Sequence, residues 1–365
     1  MLTNKDIMLT VDYHDENLVI RRLDGATGEE RILKEPTSPE AIRRVVEQAK
    51  NELEPEGRVF WIMESTTGWA RVRELFLPDR RHHRLSFHLC NPLEMPLPPK
   101  GHRKKTDKVD TGRMQREALA GRLPEAFQPP RWLRRLRRLV ALRENLVARR
   151  TALRNWFTRY LAHETWEDRT HLWTVRGMAR LEALARKVHG PDKVVLSIKL
   201  AELNQLPSLL KPVEEEILRM YKYLPQAQLL DEIRGLGPIS SVSIVSRIVP
   251  VTRFSNNEKL IGFAGLAPST QQSDETLKRG HIGGGGTDWH LRHYLIEASV
   301  WARQIPRYRP TYERVMAKRG KKIARLVVAR MMLRSIYKML KDNIRFNQLP
   351  ARPVKTRSTI KRKAG

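Results

Sequence analysis

The chain has 365 residues, 40% of them hydrophobic, which is enough for two or three domains with packed cores and excludes a disordered polypeptide. Its 69 Lys and Arg against 40 Asp and Glu leave a formal net charge of +29, far beyond what solubility needs, and the simplest partner for such a field is the phosphate backbone of a nucleic acid. No apolar run reaches the roughly 18 residues of a membrane span, and the single cysteine, Cys90, excludes an internal disulfide framework or a cysteine-rich zinc site.

Residues 7 to 34 read as three short strands, Ile7 to Tyr13, Leu18 to Arg22 and Glu30 to Leu33, joined by polar turns in the manner of a meander. Ser38-Pro39-Glu40 then starts a helix, serine as cap and proline in the first turn, that runs to about Leu53 with Ile42, Val45 and Val46 on one face. A strand at Arg58 to Met63, a helix from Thr67 to Phe76 and a strand at Leu85 to Leu89 follow. Antiparallel strands followed by alternating helix and strand predict an α/β domain over residues 1–128, a mixed sheet of the ribonuclease H type. Asn91 to Lys105, with four prolines, reads as an exposed loop. Its His102, Lys104 and Lys105 either position a phosphate or attract nucleic acid only diffusely.

Pro129-Pro130 opens a helical segment over residues 129–226. From Arg131 to about Glu164 no helix breaker occurs, and Trp132, Leu136, Leu139, Leu146, Leu153, Phe157 and Tyr160 recur at three, four or seven residues, predicting a long amphipathic helix of coiled-coil character. Ser208 to Tyr223 is expected to fold back on it, with residues 165–207 as a helical insertion and a homodimer through this stalk. The tryptophans there fit a packed seam as well as base stacking.

Residues 227–347 predict an all-α domain. Leu229 to Ile239 reads as helix, Gly235-Leu236-Gly237 turn and helix, a helix-hairpin-helix-like element whose backbone N–H groups either hold a phosphate or simply turn the chain. Helices are expected at His290 to Ala302 and Lys321 to Asp342, followed by a basic tail over residues 348–365. The polar Met1 to Asp6 has no apolar signal core, so a cytoplasmic location is expected.

Four carboxylates stand out in this basic chain. Asp12 and Glu64 end apolar strands, and Asp107 and Asp110 lie three apart at a helix start, on one face. Such a set suits two Mg²⁺ ions about 4 Å apart, the arrangement that stabilises attacking and leaving oxygens in phosphodiester cleavage. The alternative is four acidic residues near one another in sequence pattern only.

Val11-Asp12-Tyr13-His14, Met63-Glu64-Ser65-Thr66-Thr67-Gly68-Trp69, Asn91-Pro92, Lys105-Thr106-Asp107-Lys108-Val109-Asp110 and Phe263-Ala264-Gly265-Leu266-Ala267-Pro268 together resemble the DEDD transposases of the insertion-sequence group called one-ten. The resemblance implies a RuvC-like nuclease domain, with Asp12, Glu64, Asp107 and Asp110 as catalytic metal ligands, joined to a transposase domain with a nucleophilic serine. It also implies a structured bridge RNA that pairs with target and donor DNA, and dimers or tetramers that combine carboxylates and serine from different subunits. Ser273 falls at the expected distance after Pro268, with Ser269 as the alternative. Asp274 and Glu275 stand where a glycine is customary, and Lys278 and Arg279 offset their charge toward an approaching phosphate. Two other functions stay open: a RuvC-type, structure-specific, metal-dependent endonuclease, and a non-catalytic nucleic-acid-binding relative.

Overall fold

The computed structural model describes residues 3–76, 84–96, 107–165, 167–273, 276–282 and 286–351, without the side chains of 108, 268–273, 276–282, 302 and 303. Lys104, Lys105, His102, Trp166, Asp274, Glu275, residues 283–285 and the basic tail from Arg352 therefore lie outside the described residues or their side chains. The chain divides into two compact units, residues 1–128 and 129–365, so the stalk and the C-terminal third form one unit.

In the first unit, β1 (Ile7–Tyr13), β2 (Asn17–Asp24) and β3 (Glu30–Pro36) form an antiparallel meander, and β4 (Val59–Glu64) and β5 (Leu85–Cys90) add parallel strands on the other side of β1. The order is β3-β2-β1-β4-β5, with β1 central. Side chains alternate across a strand, so each strand feeds two layers. Ile7, Leu9 and Val11 of β1 and Val59, Trp61 and Met63 of β4 pack on one face against α1 (Pro39–Asn51) and α2 (Trp69–Phe76). Met8, Ile62 and Cys90 point the other way and meet Met114 of α3 (Asp107–Leu119). Ser38 caps α1, its hydroxyl accepting from the Ala41 N–H at 3.1 Å, and Pro39 occupies the first turn as expected. The segment after α3 runs along β5, where the Ala126 N–H donates to the Leu89 carbonyl at 2.6 Å and Glu125 meets the His88 ring at 2.6 Å.

The second unit begins with α4 (Arg131–Glu164), which packs on α6 (Gly190–Tyr221), with α5 (Val175–Lys187) between them in sequence. Leu196, Leu200, Leu203, Leu206, Leu210, Val213 and Ile217 form the buried seam of α6 at three and four residue steps. Ion pairs from Arg143 to Glu214 at 2.8 Å and Arg149 to Glu202 at 2.6 Å set the two helices antiparallel. The returning helix thus begins at Gly190, not at Ser208, and continues through Pro207 and Pro212. The rest is α7 (Pro225–Asp231), α8 (Pro238–Ile248), α9 (Asn257–Phe263), a hairpin of β6 (Pro268–Ser273) and β7 (Thr276–Ile282), α10 (Trp289–Ala298) and α11 (Arg309–Asp342). Where one helix was expected to reach Ala302, α10 ends at Ala298 and a 3₁₀ segment carries the chain to Gln304. Upstream of Lys321, α11 already starts at Arg309 and bends at Gly320, whose φ of 77° lies outside the helical region. The expected all-α character of residues 227–347 is corrected by the β6–β7 hairpin.

Candidate functional site

Asp12 and Glu64 reach the same sheet face for a simple reason. In-register parallel pairing of β1 and β4 extends to Val11 opposite Met63, both on the α1 side, so the next residue of each strand projects to the α3 side. There α3 lies over β1 and β2, its docking fixed by Gln115, which donates to Glu30 at 3.0 Å, and by Met114 in the core beneath. The first turn of α3 brings in Asp107.

The residue that completes the cluster is His14, in the turn that follows β1. Its Nε2 lies 3.5 Å from Asp12 Oδ2 and 3.5 Å from Asp107 Oδ2. One ligand atom from each of Asp12, His14 and Asp107 falls within 4.8 Å of the others, the spacing a single cation can bridge. The sequence signal for His14 is its position two residues after Asp12 in Val11-Asp12-Tyr13-His14, where the turn reverses direction. The backbone of that turn is fixed by the His14 N–H donating to the Asn17 carbonyl at 3.0 Å and by the Thr37 hydroxyl donating to the His14 carbonyl at 2.7 Å.

Glu64 and Asp110 stand beside this cluster rather than within it. Asp110 is half-buried and faces Arg113 at 3.5 Å. Glu64 sits opposite Cys90 in the β4–β5 register, and the two groups feel one another: burial, with the Glu64 charge adding to it, pushes the Cys90 thiol up to about 12. Gly68, four residues after Glu64, has a φ of 91° and lies against Tyr13, where a β-carbon would come within 2.3 Å of the ring. The Glu64-to-Trp69 motif is therefore moulded onto the residue between Asp12 and His14.

In the second unit, Ser273 ends β6, paired in the backbone ladder with Thr276 at the tip of the hairpin, and Lys278 and Arg279 lie on β7 opposite Gln271 and Thr270. The Ser269 backbone belongs to the same strand. The preceding Phe263-to-Pro268 block seats the hairpin: Gly265, at a φ of 60°, approaches Thr287 so closely that a β-carbon would come within 2.2 Å, and the Phe263 carbonyl accepts from the Asp288 N–H at 2.9 Å. Asp288 in turn caps α10 and faces Arg247 at 3.7 Å. Glu144 of α4 joins the same charged group, 2.7 Å from His290 Nδ1 and 3.5 Å from Arg247. Burial raises the Glu144 carboxyl, with His290 and Arg247 opposing, while burial and then Arg137 lower Arg253 to about 10. The sequence signal for this charged group is Arg247, the only charged residue of α8, one position before its end at Ile248.

The glycine turn has a mainly structural geometry. Gly235, φ 102°, would place a β-carbon 2.8 Å from the Ala298 carbonyl and 2.9 Å from the Trp301 ring. The Gly237 N–H already donates to the Ser240 hydroxyl at 2.8 Å, and that of Leu236 to the Ile233 carbonyl at 2.9 Å. Two of the donors that a phosphate clamp would use are thus engaged inside the protein. Trp156 and Trp173 are covered by cations, Lys199 at 4.7 Å and Arg154 at 5.1 Å from the ring centroids.

These features define a strongly basic protein of two units, one with a carboxylate and histidine group suited to a cation, the other with a β-hairpin and a group of partly buried charges that links α4, α8 and α10. Residues 227–314, from α7 into α11, match the transposase IS116/IS110/IS902 family. The protein named "Putative transposase y4pF/y4sB" of Sinorhizobium fredii is 23% identical over 164 residues, 43% of this chain and 41% of its own length. The chain thus spans about two fifths of that relative. Among the described residues no helix is long and apolar enough to cross a membrane.

Proposed function

We propose that the chain is a DNA transposase, or recombinase, that cuts and rejoins strands with a RuvC-like carboxylate centre and a serine nucleophile. The observation that carries this reading is the convergence of Asp12 and Asp107, from a central strand end and a helix start, beside a half-buried Asp110 and a Glu64 on the same sheet face. Two carboxylates with ligand atoms within 4.8 Å repel one another, and a divalent ion held between them and the imidazole would turn that arrangement into a favourable one. The transposase match at residues 227–314, which encloses the β6–β7 hairpin, supplies the second half.

In this reading Asp12 and Asp107 would hold a divalent cation, with His14 as nitrogen ligand, and Glu64 and Asp110 would be available to a second ion. The bound metal would polarise the scissile phosphate and lower the barrier to losing a hydroxyl proton. Ser273 Oγ would give its proton to solvent water and bond to phosphorus as the bond from phosphorus to one strand end breaks, the departing oxygen taking up a proton from water to leave a hydroxyl on that end. A strand-end hydroxyl attacking the phosphoserine reverses the step and re-forms a phosphodiester without a nucleotide cofactor. Lys278 and Arg279, on the strand paired with Ser273, are assigned to the DNA backbone, as are Lys104 and Lys105. Target choice is assigned to base pairing in a bridge RNA, which leaves the protein to bind backbone and shape, consistent with a net charge of +29. Assembly into dimers or tetramers would let carboxylates and serine come from different subunits.

The test is a covalent one. With Mg²⁺ or Mn²⁺, co-purified RNA and labelled DNA, the wild type is expected to give a protein–DNA adduct stable to denaturation and Ser273→Ala none, while Asp12→Asn loses cutting. Adduct-free cutting that survives Ser273→Ala but needs Asp12 would replace this reading by hydrolysis through a RuvC-type endonuclease. No cutting, adduct or recombinant product from the wild type under these conditions would favour a binding protein.

A further inference from the structure

Away from the carboxylates and the hairpin, the second unit contains a cavity of about 360 Å³ between the last turns of α11, the start of α9 and the chain at Leu349. Arg307, Arg334, Lys338 and Lys341 line it, against Asp342 as its carboxylate. Arg334, Lys338 and Lys341 recur at i, i+4 and i+7 on α11, which sets them in one exposed stripe. Two of the four cations are neutralised: Arg334 lies 2.9 Å from Glu258, and Lys338 2.6 Å from Asp342.

The other two form no ion pair among the described residues. Among the described residues, Arg307 donates only to the Leu349 and Pro350 carbonyls, at 3.5 and 2.9 Å, and Lys341 sits 5.7 Å from the Tyr337 ring centroid with no carboxylate within ion-pair distance. Below them the floor is closed. Tyr308, Ser335 and Tyr337 are buried, the Tyr308 hydroxyl donating to Ser335 Oγ at 2.8 Å and the Tyr337 hydroxyl to the Phe254 carbonyl at 3.1 Å. Rings so buried offer no stacking surface, and hydroxyls so engaged read no base edge.

What remains is a concave site with surplus positive charge at its rim, at the lower end of the size range of small-ligand pockets. The negative end of the α11 dipole disfavours an anion there unless side chains offset it, and Lys341 occupies the last turn where it does so. We propose that this cavity holds a backbone phosphate of a nucleic-acid strand, without regard to sequence, on Lys341 and Arg307 with Arg334 at its side. All of its α11 lining lies beyond the matched transposase stretch, and the site stands whether or not Ser273 is the nucleophile.

Two measurements on the full chain test it. Binding of labelled random-sequence single-stranded DNA and RNA is followed against salt for wild type, Lys341→Gln, Lys341→Glu and an exposed control on α5, Lys187→Gln. One lost phosphate contact is expected to flatten the salt slope by about 0.7 and weaken binding several-fold in Lys341→Gln, more in Lys341→Glu, and about twofold or less in the control. Equal effects at Lys341 and Lys187 overturn the site. Second, lysine acetylation is mapped with and without each strand: protection of Lys341 by DNA or by RNA identifies the source of the phosphate. Protection by inorganic phosphate alone, or by none of the three, overturns the proposal.

Discussion

Replacing His14 by alanine separates a metal ligand from a bystander. Two ligands at a right angle around an ion with bonds of about 2.1 Å are about 3.0 Å apart. The His14 ring nitrogen is 3.5 Å from an oxygen of Asp12 and equally from one of Asp107, so closing onto a cation needs a shift of only a few tenths of an ångström at each contact. A nitrogen ligand also changes the choice of ion: imidazole suits Zn²⁺, Fe²⁺ or Ni²⁺ best, Mn²⁺ tolerates it beside carboxylates, and Mg²⁺ favours an all-oxygen site. Wild-type protein is therefore expected to bind Mn²⁺ at least about tenfold more tightly than Mg²⁺. Groups that merely orient a metal ligand cost about 10–100-fold in affinity when removed, so losing a direct ligand should weaken Mn²⁺ by at least about tenfold, or about 1.4 kcal/mol. Mg²⁺ binding should fall much less, shrinking the preference. The assay is titration of Mn²⁺ by the paramagnetic signal of the free ion, with Mg²⁺ as competitor, and Asp12→Asn as a variant that should lose both ions. An unchanged preference in His14→Ala would refute the ligand role. If Asp12→Asn also binds both ions normally, the carboxylate centre itself is not a metal site.

Three further outcomes are expected. Gly235→Ala combines a positive-φ cost of about 1–2 kcal/mol with crowding at the Ala298 carbonyl worth about 1–3 kcal/mol. Gly237→Ala, with open space around the new carbon, should cost no more than about 1 kcal/mol by chemical denaturation; similar values for both would show that the turn is not packed as described. At Asp6, burial raises the carboxyl, but the N–H and hydroxyl of Thr3 and the Arg58 N–H together hold it below its ordinary 3.8. Its stabilising share is thus complete above that value and is lost as pH falls through the lowered one; Asp6→Ala should cost about 2–3 kcal/mol near neutral pH and less in acid, and a pH-independent difference would contradict this. Finally, Cys90, buried and pushed up to about 12, should react with a thiol reagent at pH 8 on the order of 10⁴ times more slowly than a fully ionised thiol, becoming reactive only on unfolding of the first unit. Rapid labelling of native protein would show that β5 is not closed over it.

The elements that carried the site into view share a property: regular backbone ending at a residue whose type contradicts its surroundings. Asp12 follows Leu9, Thr10 and Val11, and Glu64 follows Trp61, Ile62 and Met63, so period-two alternation alone sends both across the sheet from the buried Val11 and Met63. Asp107 needed only the start of a helix. His14 obeys no such period, because it lies past the strand, and only the fold of the turn back to Asn17 decides that its ring returns between two carboxylates. The hairpin around Ser273 was hidden for a related reason: Pro-Ser-Thr-Gln-Gln-Ser has no apolar alternation, and it is a strand because β7 pairs with it and Gly265 and Asp288 anchor its approach. In α6 the returning helix was expected only from Ser208, just after Pro207. The leucine seam is instead continuous on either side of Pro207 and Pro212 and is buried against α4, and burial of that seam outweighs the hydrogen bonds two prolines remove. The same physics explains why the carboxylate half of the proposed centre could be placed from strand periodicity, whereas the serine half depends on tertiary contacts that periodicity does not encode.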